Sequence, residues 1–124
     1  MIREFRIGNP AILIIFGGLP GTGKTTISKT IAERLKAVYL KVDTIEQALI
    51  NLDGYSGSLF VGSEGYLMSY ALARENLTLG LNVVDDSVNP IAITRKDWQQ
   101  VAKQTESDFI EIELICSGKK LHKN

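Results

Sequence analysis

Between Ile12 and Lys29 the chain reads ILIIFGGLPGTGKTTISK, and this stretch leaves the remainder little freedom. Gly18 to Thr25, GLPGTGKT, satisfies G-x-x-x-x-G-K-[ST] at every position. The pattern has a mechanical basis. Glycines let the backbone turn its N–H groups inward around a phosphate, the lysine reaches the outer phosphates, and the final hydroxyl is placed to ligate Mg²⁺. Such a loop must be fed by a strand and must open a helix. Ala11 to Phe16 is an uninterrupted apolar run, as a parallel strand covered on both faces requires, and Thr26 to Leu35 carries Ile27, Ile31 and Leu35 at helical spacing. The stretch therefore predicts a nucleotide-phosphate cradle formed by Gly18, Leu19, Pro20, Gly21, Thr22, Gly23, Lys24, Thr25 and Thr26. The positive end of the following helix points at the anion.

Downstream, strand and helix patterns alternate. Ala37 to Val42 is rich in branched and aromatic residues and runs into Asp43, and Thr44 is placed to cap a helix reaching about Leu52. Asp53 to Gly65 is glycine-rich and reads as a mobile connection. A longer helix is predicted from about Ser63 to Leu79, with Leu67, Tyr70, Ala71 and Leu77 inward and Gly80 as its stop. Leu81 to Val84 forms a third strand leading to Asp85 and Asp86. Thr94 and Asp97 form a capping pair for a helix to about Gln104 with Trp98, Val101 and Ala102 inward. In the last strand, Phe109 to Cys116, Ile110, Ile112 and Leu114 share one face and Glu111 and Glu113 the other. The pattern predicts an α/β fold, a three-layer P-loop NTPase-type domain with a parallel sheet, as one nucleotide-binding domain over 1–124. An exposed last strand also gives the domain a reason to pair edge to edge as a homodimer.

Composition bounds the partners. With 14 basic and 14 acidic residues the formal net charge is +0, which disfavours bulk nucleic-acid binding. No segment has the length and apolarity of a membrane span, and MIREFRIGNP lacks a signal-peptide core, so a cytoplasmic protein is expected. The single cysteine, Cys116, cannot close an internal disulfide and has only one histidine, His122, for company, so a protein metal cluster is not expected.

Phosphoryl transfer needs a phosphate clamp, a metal site and a group that positions the acceptor oxygen. Lys24 and the loop amides supply the clamp, Thr25 the inner ligand to Mg²⁺, and Asp85 an acid that supports the metal through water. Ligands of open α/β sheets sit outside the carboxyl ends of the strands, where Asp43 and Asp85 stand. Asp43 is thus a candidate general base, although Asp before Thr is also an ordinary way to begin a helix. Adjacent strand residues point to opposite faces, so Asp85 and Asp86 are expected to do different jobs. Arg95 either clamps an anionic group or decorates the first turn of its helix. A regulatory GTPase is disfavoured: TRKD at Thr94 to Asp97 lacks the asparagine of the guanine-reading segment, and no D-x-x-G follows the third strand.

Taken together, IIFGGLPGTGKTT, the strand ending at Asp43, NVVDDSVNP, Arg95 with Trp98, and FIEIELICS resemble small P-loop kinases of an AAA-type ATPase-like group. Zeta toxin, chloramphenicol phosphotransferase and adenylylsulfate kinase belong to that kind. The resemblance implies a sheet ordered 2-3-1-4, Asp85 at the Mg²⁺ site, Asp43 on the acceptor hydroxyl, and Arg95 as a substrate contact. The chain stops at Asn124, where such proteins continue into an arginine-bearing lid and a fifth strand, so neither is expected here. Two functions follow as expectations. One is an ATP- and Mg²⁺-dependent kinase acting on a small-molecule hydroxyl. The other is a nucleotide-binding module without its lid that hydrolyses or only binds.

Overall fold

The computed structural model describes residues 10–18, 23–52, 64–87 and 92–114. The elements run β1 (Ile12–Gly17), α1 (Lys24–Leu35), β2 (Val38–Lys41), α2 (Val42–Ile50), α3 (Glu64–Thr78), β3 (Val83–Asp86), α4 (Ala92–Gln104) and β4 (Asp108–Glu113). The four strands form one parallel sheet in the order β2-β3-β1-β4, as the family resemblance implied. β1 and β3, the most buried strands, take the two central places, where both faces are covered.

Strand alternation divides the core in two. Ala11, Leu13, Ile15 and Val83 pack with Tyr70, Ala73 and Leu77 of α3 and Trp98, Val101 and Ala102 of α4. Ile14, Phe16 and Val84 face the other way, against Ala32 of α1. Trp98 is fully buried with its ring edge-on to Tyr70, the centroids 4.7 Å apart and the planes at 83°. The inward set expected for the fourth helix, Trp98, Val101 and Ala102, is the buried set.

Two helix faces differ from their periodicity. In α1 Ile27 and Leu35 are 40% and 44% exposed, and the buried positions are Lys24, Ser28 and Ala32. Small side chains at a spacing of four let α1 lie close on β1 and β3. In α3 Leu67 and Ala71 face solvent, and the inner face is Gly65, Ser69, Tyr70, Ala73 and Leu77. A side chain at Gly65 would start 2.5 Å from Glu46 Cγ, so this glycine lets α3 close on α2.

Boundaries also shift. α2 begins directly after β2, so Asp43 is the second residue of a helix and exposed. β3 extends through both Asp85 and Asp86. α4 begins at Ala92, which places Thr94 inside the helix instead of at its cap. α3 ends as expected at Gly80 (φ 90°), whose N–H donates to the Leu77 carbonyl at 2.9 Å. The glycine-rich connection and the basic tail with Cys116 and His122 fall largely or wholly outside the described residues.

Candidate functional site

The carboxyl ends of β1 and β3 lie side by side, with Phe16 opposite Asp86. From there Gly17 and Gly18 leave the sheet. Gly18 has φ 131°, and a Cβ on it would lie 2.6 Å from the Leu114 carbonyl oxygen at the end of β4. The Leu114 N–H donates to the Gly17 carbonyl at 3.0 Å. The first glycine of the motif is therefore required by a neighbouring strand as well as by any phosphate. Leu19, Pro20, Gly21 and Thr22 lie outside the described residues.

The loop returns at Gly23, the N-cap of α1, in the left-handed conformation (φ 83°, ψ 10°). A Cβ there would meet nothing within 4 Å. No side chain caps this helix end and no acid stands in its first turn. The first amides of a helix have no acceptor within it, and the dipole makes this end positive. A helix start with no side-chain cap among the described residues, preceded by a left-handed glycine, fits a phosphate group.

The Lys24 side chain is buried, and its ammonium pairs with Asp86 Oδ1. The other carboxylate oxygen, Oδ2, accepts hydrogen bonds from Ser28 Oγ at 3.0 Å and from the Tyr39 hydroxyl of β2. Burial alone would raise the Asp86 pKa. The hydrogen bonds from Lys24, Tyr39 and Ser28, with the lysine charge, outweigh burial and hold the carboxyl below its ordinary value. Burial and the adjacent Asp86 push the Tyr39 phenol up to about 12, against smaller opposing contributions from the hydroxyls of Ser28 and Thr25.

This is a correction to the sequence reading, which placed Asp85 beside the phosphate site. Asp86 shares its sheet face with Val84 and looks toward α1, whereas Asp85 shares the opposite face with Val83. Asp85 is buried there and accepts a hydrogen bond from Ser87 Oγ at 2.8 Å. Its charge, together with those of Glu46 and Asp43, adds to burial in lifting the Tyr66 phenol to about 12. Tyr70 is raised too, by burial first and then by Asp97. The Asp43 charge also adds to burial in raising Glu46. Asp43 stands on α2 with Glu46, which packs against Gly65 of α3. Arg95 is exposed, with its guanidinium 3.5 Å from Glu113 of β4.

The sequence reading missed Ser28, Tyr39 and Asp86. Ser28 has the clearest signal, standing one helical turn beyond Lys24, and Tyr39 stands on the same sheet face as Asp86. Among the described residues no group of three or more His, Cys, Asp or Glu side chains is arranged to hold a metal. The Thr25 hydroxyl and the Asp86 carboxylate form a sparse all-oxygen donor set. That set suits Mg²⁺, which keeps most of its waters and shares the nucleotide phosphates. Among the described residues, no helix is long and apolar enough to cross a membrane.

The family described as AAA domain matches residues 13–124. Adenylyl-sulfate kinase of Synechococcus sp. (strain JA-3-3Ab) is 28% identical over 109 residues, covering 86% of this chain and 60% of that protein. L-seryl-tRNA(Sec) kinase of Methanococcus maripaludis is 27% identical over 108 residues, covering 83% of this chain and 40% of that protein. The chain thus spans about half the length of the curated relatives it matches. The structure of Mycobacterium tuberculosis APS kinase in complex with AMPPNP and APS matches with a TM-score of 0.66 and 20% identity. That match covers 86% of this chain and 63% of the other, a likeness of fold.

Proposed function

The chain belongs to the AAA-domain family of P-loop proteins, and from that premise we propose that it is an ATP-dependent kinase acting on a hydroxyl of a small-molecule acceptor. One observation carries the reading: among the described residues no side chain caps the start of α1, and Lys24 at its first position pairs with the buried Asp86. That combination supports a bound phosphate group and a metal-supporting acid. The kinase names of the relatives support the same class.

In the proposed mechanism, backbone amides from Gly18 to Thr26 and the Lys24 ammonium hold the β- and γ-phosphates. To reach them Lys24 exchanges Asp86 Oδ1 for a phosphate oxygen. Thr25 and Asp86 are the residues that would hold Mg²⁺, which would neutralise charge developing on the phosphates. Asp43 accepts the proton of the acceptor hydroxyl as its oxygen forms a bond to the γ-phosphorus, and the bond from that phosphorus to the β-phosphate oxygen breaks, releasing ADP.

The test is transfer of labelled γ-phosphate from ATP to a panel of hydroxyl metabolites, with nucleotide binding followed by calorimetry. Transfer that disappears in Lys24→Ala supports the reading, and ATP binding without transfer to any acceptor overturns the kinase assignment. A second reading, nucleotide binding without transfer, is favoured by one observation: Arg95 is exposed and engaged with Glu113.

A further inference from the structure

The structure treats the two oxygens of Asp86 differently. Oδ1 takes the Lys24 ammonium, and Oδ2 takes two neutral hydroxyls, from Ser28 and Tyr39. An ammonium on a flexible stem can leave Oδ1 for a phosphate. The donors on Oδ2 belong to the frame of the fold. Ser28 divides its hydroxyl between Asp86 and the Thr25 carbonyl at 3.1 Å, which leaves Tyr39 as the committed donor. The Tyr39 ring is held by packing against the α1-side core of Ile14, Phe16, Ala32 and Val84. β2 is in register with β3 there, Tyr39 opposite Val84 and Lys41 opposite Asp86.

We infer that Tyr39 is a positioning residue that fixes Oδ2 of Asp86, so that Oδ1 alone is exchanged between the Lys24 ammonium in the free protein and the magnesium-bearing nucleotide. The inference rests on the kinase reading of the site. It follows from the cost of a buried carboxylate. When Lys24 departs, the hydroxyls are all that stabilise Asp86 until the metal shell reaches it, and a carboxylate free to rotate would meet that shell in many orientations. Partners that orient a ligating group are commonly worth about 10–100-fold in metal affinity.

The experiment is calorimetric titration of the full chain with AMPPNP, once with Mg²⁺ and once with EDTA. The ratio of the two affinities isolates the contribution of the metal and involves no turnover. Tyr39→Phe is expected to shrink that ratio by about tenfold, with the affinity in EDTA essentially unchanged. In an Asp86→Asn background the same change has no further effect, because the group it orients is altered. Ser28→Ala provides a second variant on the same oxygen and moves the ratio in the same direction by less. A ratio unchanged in Tyr39→Phe, or affinities that fall equally with and without Mg²⁺, overturns the inference and leaves Tyr39 a packing residue. A wild-type chain with no Mg²⁺ dependence removes the kinase reading as well, whereas a wild-type dependence that survives Tyr39→Phe removes this inference alone.

Discussion

The Lys24–Asp86 pair contributes a measurable part of the stability. Both side chains are buried, at 8% and 0% relative exposure. Lys24→Ala leaves the carboxylate in place with only the Ser28 and Tyr39 hydroxyls. Removing one member of a buried pair costs about 3–5 kcal/mol, and the surviving hydrogen bonds favour the lower figure. With 124 residues at about 2.1 cal/mol/K each, the unfolding entropy is about 0.26 kcal/mol/K, so about 3 kcal/mol lowers Tm by about 11 °C.

Differential scanning calorimetry of Lys24→Ala and of the double variant Lys24→Ala/Asp86→Asn separates charge from packing. The double variant has no uncompensated carboxylate and recovers most of the loss. pH supplies a further arm. The Asp86 pKa is lowered by its partners, so the pair stabilises the fold above the unfolded carboxyl value of about 3.9 and loses that effect as pH falls through the lower folded value. The gap between wild type and Lys24→Ala therefore closes below about pH 4. If single and double variants melt together at pH 7, or if the gap persists in acid, the lysine does not neutralise Asp86 and the reasoning fails.

Gly18→Ala combines a positive φ with a Cβ 2.6 Å from the Leu114 carbonyl oxygen, and is expected to cost about 2–3 kcal/mol in thermal melts. Gly23→Ala meets no atom within 4 Å but takes on the strain of φ 83°, so a melting loss of about 1–2 kcal/mol, smaller than that of Gly18→Ala, is expected together with weaker nucleotide binding by calorimetry, and a loss larger than that of Gly18→Ala would contradict the geometry. Asp43→Asn is expected to lower phosphoryl transfer by a factor of about 10² with nucleotide affinity unchanged, and parallel loss of both would make Asp43 structural. Asp85→Asn removes a negative charge beside Tyr66, whose phenol stands near 12. Absorbance titration at alkaline pH should show a tyrosine moving toward its ordinary value, and no movement would refute the placement of Asp85 on that face.

Much of this architecture can be read from the chain, and the failures share a physical origin. Central strands such as β1 announce themselves as apolar runs, and Gly80 marks the end of α3 because only a left-handed turn fits there. The choice between Asp85 and Asp86 was hidden because β3 is buried at all four positions. With both faces covered, hydropathy does not alternate and cannot say which acid looks toward α1. The inner face of α1 was misread for a related reason. Close approach to the sheet selects Ser28 and Ala32 for size, and the larger Ile27 and Leu35 are left outside. Asp43 came out at the right end of the sheet but on a helix, since nothing in LKVDT marks where extended backbone becomes helical. Tyr39 reads as an ordinary strand aromatic until its hydroxyl is seen on Asp86.

The meeting of Gly17 and Gly18 with Leu114 bears on the order in which the molecule acquires its shape. Gly18 opens the phosphate motif, yet the backbone it packs against stands at the end of β4, far along the sequence. Closing so long an intervening segment is entropically costly and belongs late in folding. During synthesis the ribosome releases the loop sequence well before β4 exists. An emerging chain therefore carries the complete motif while lacking the support that shapes it, and nucleotide is expected to stabilise the finished domain without templating the nascent one.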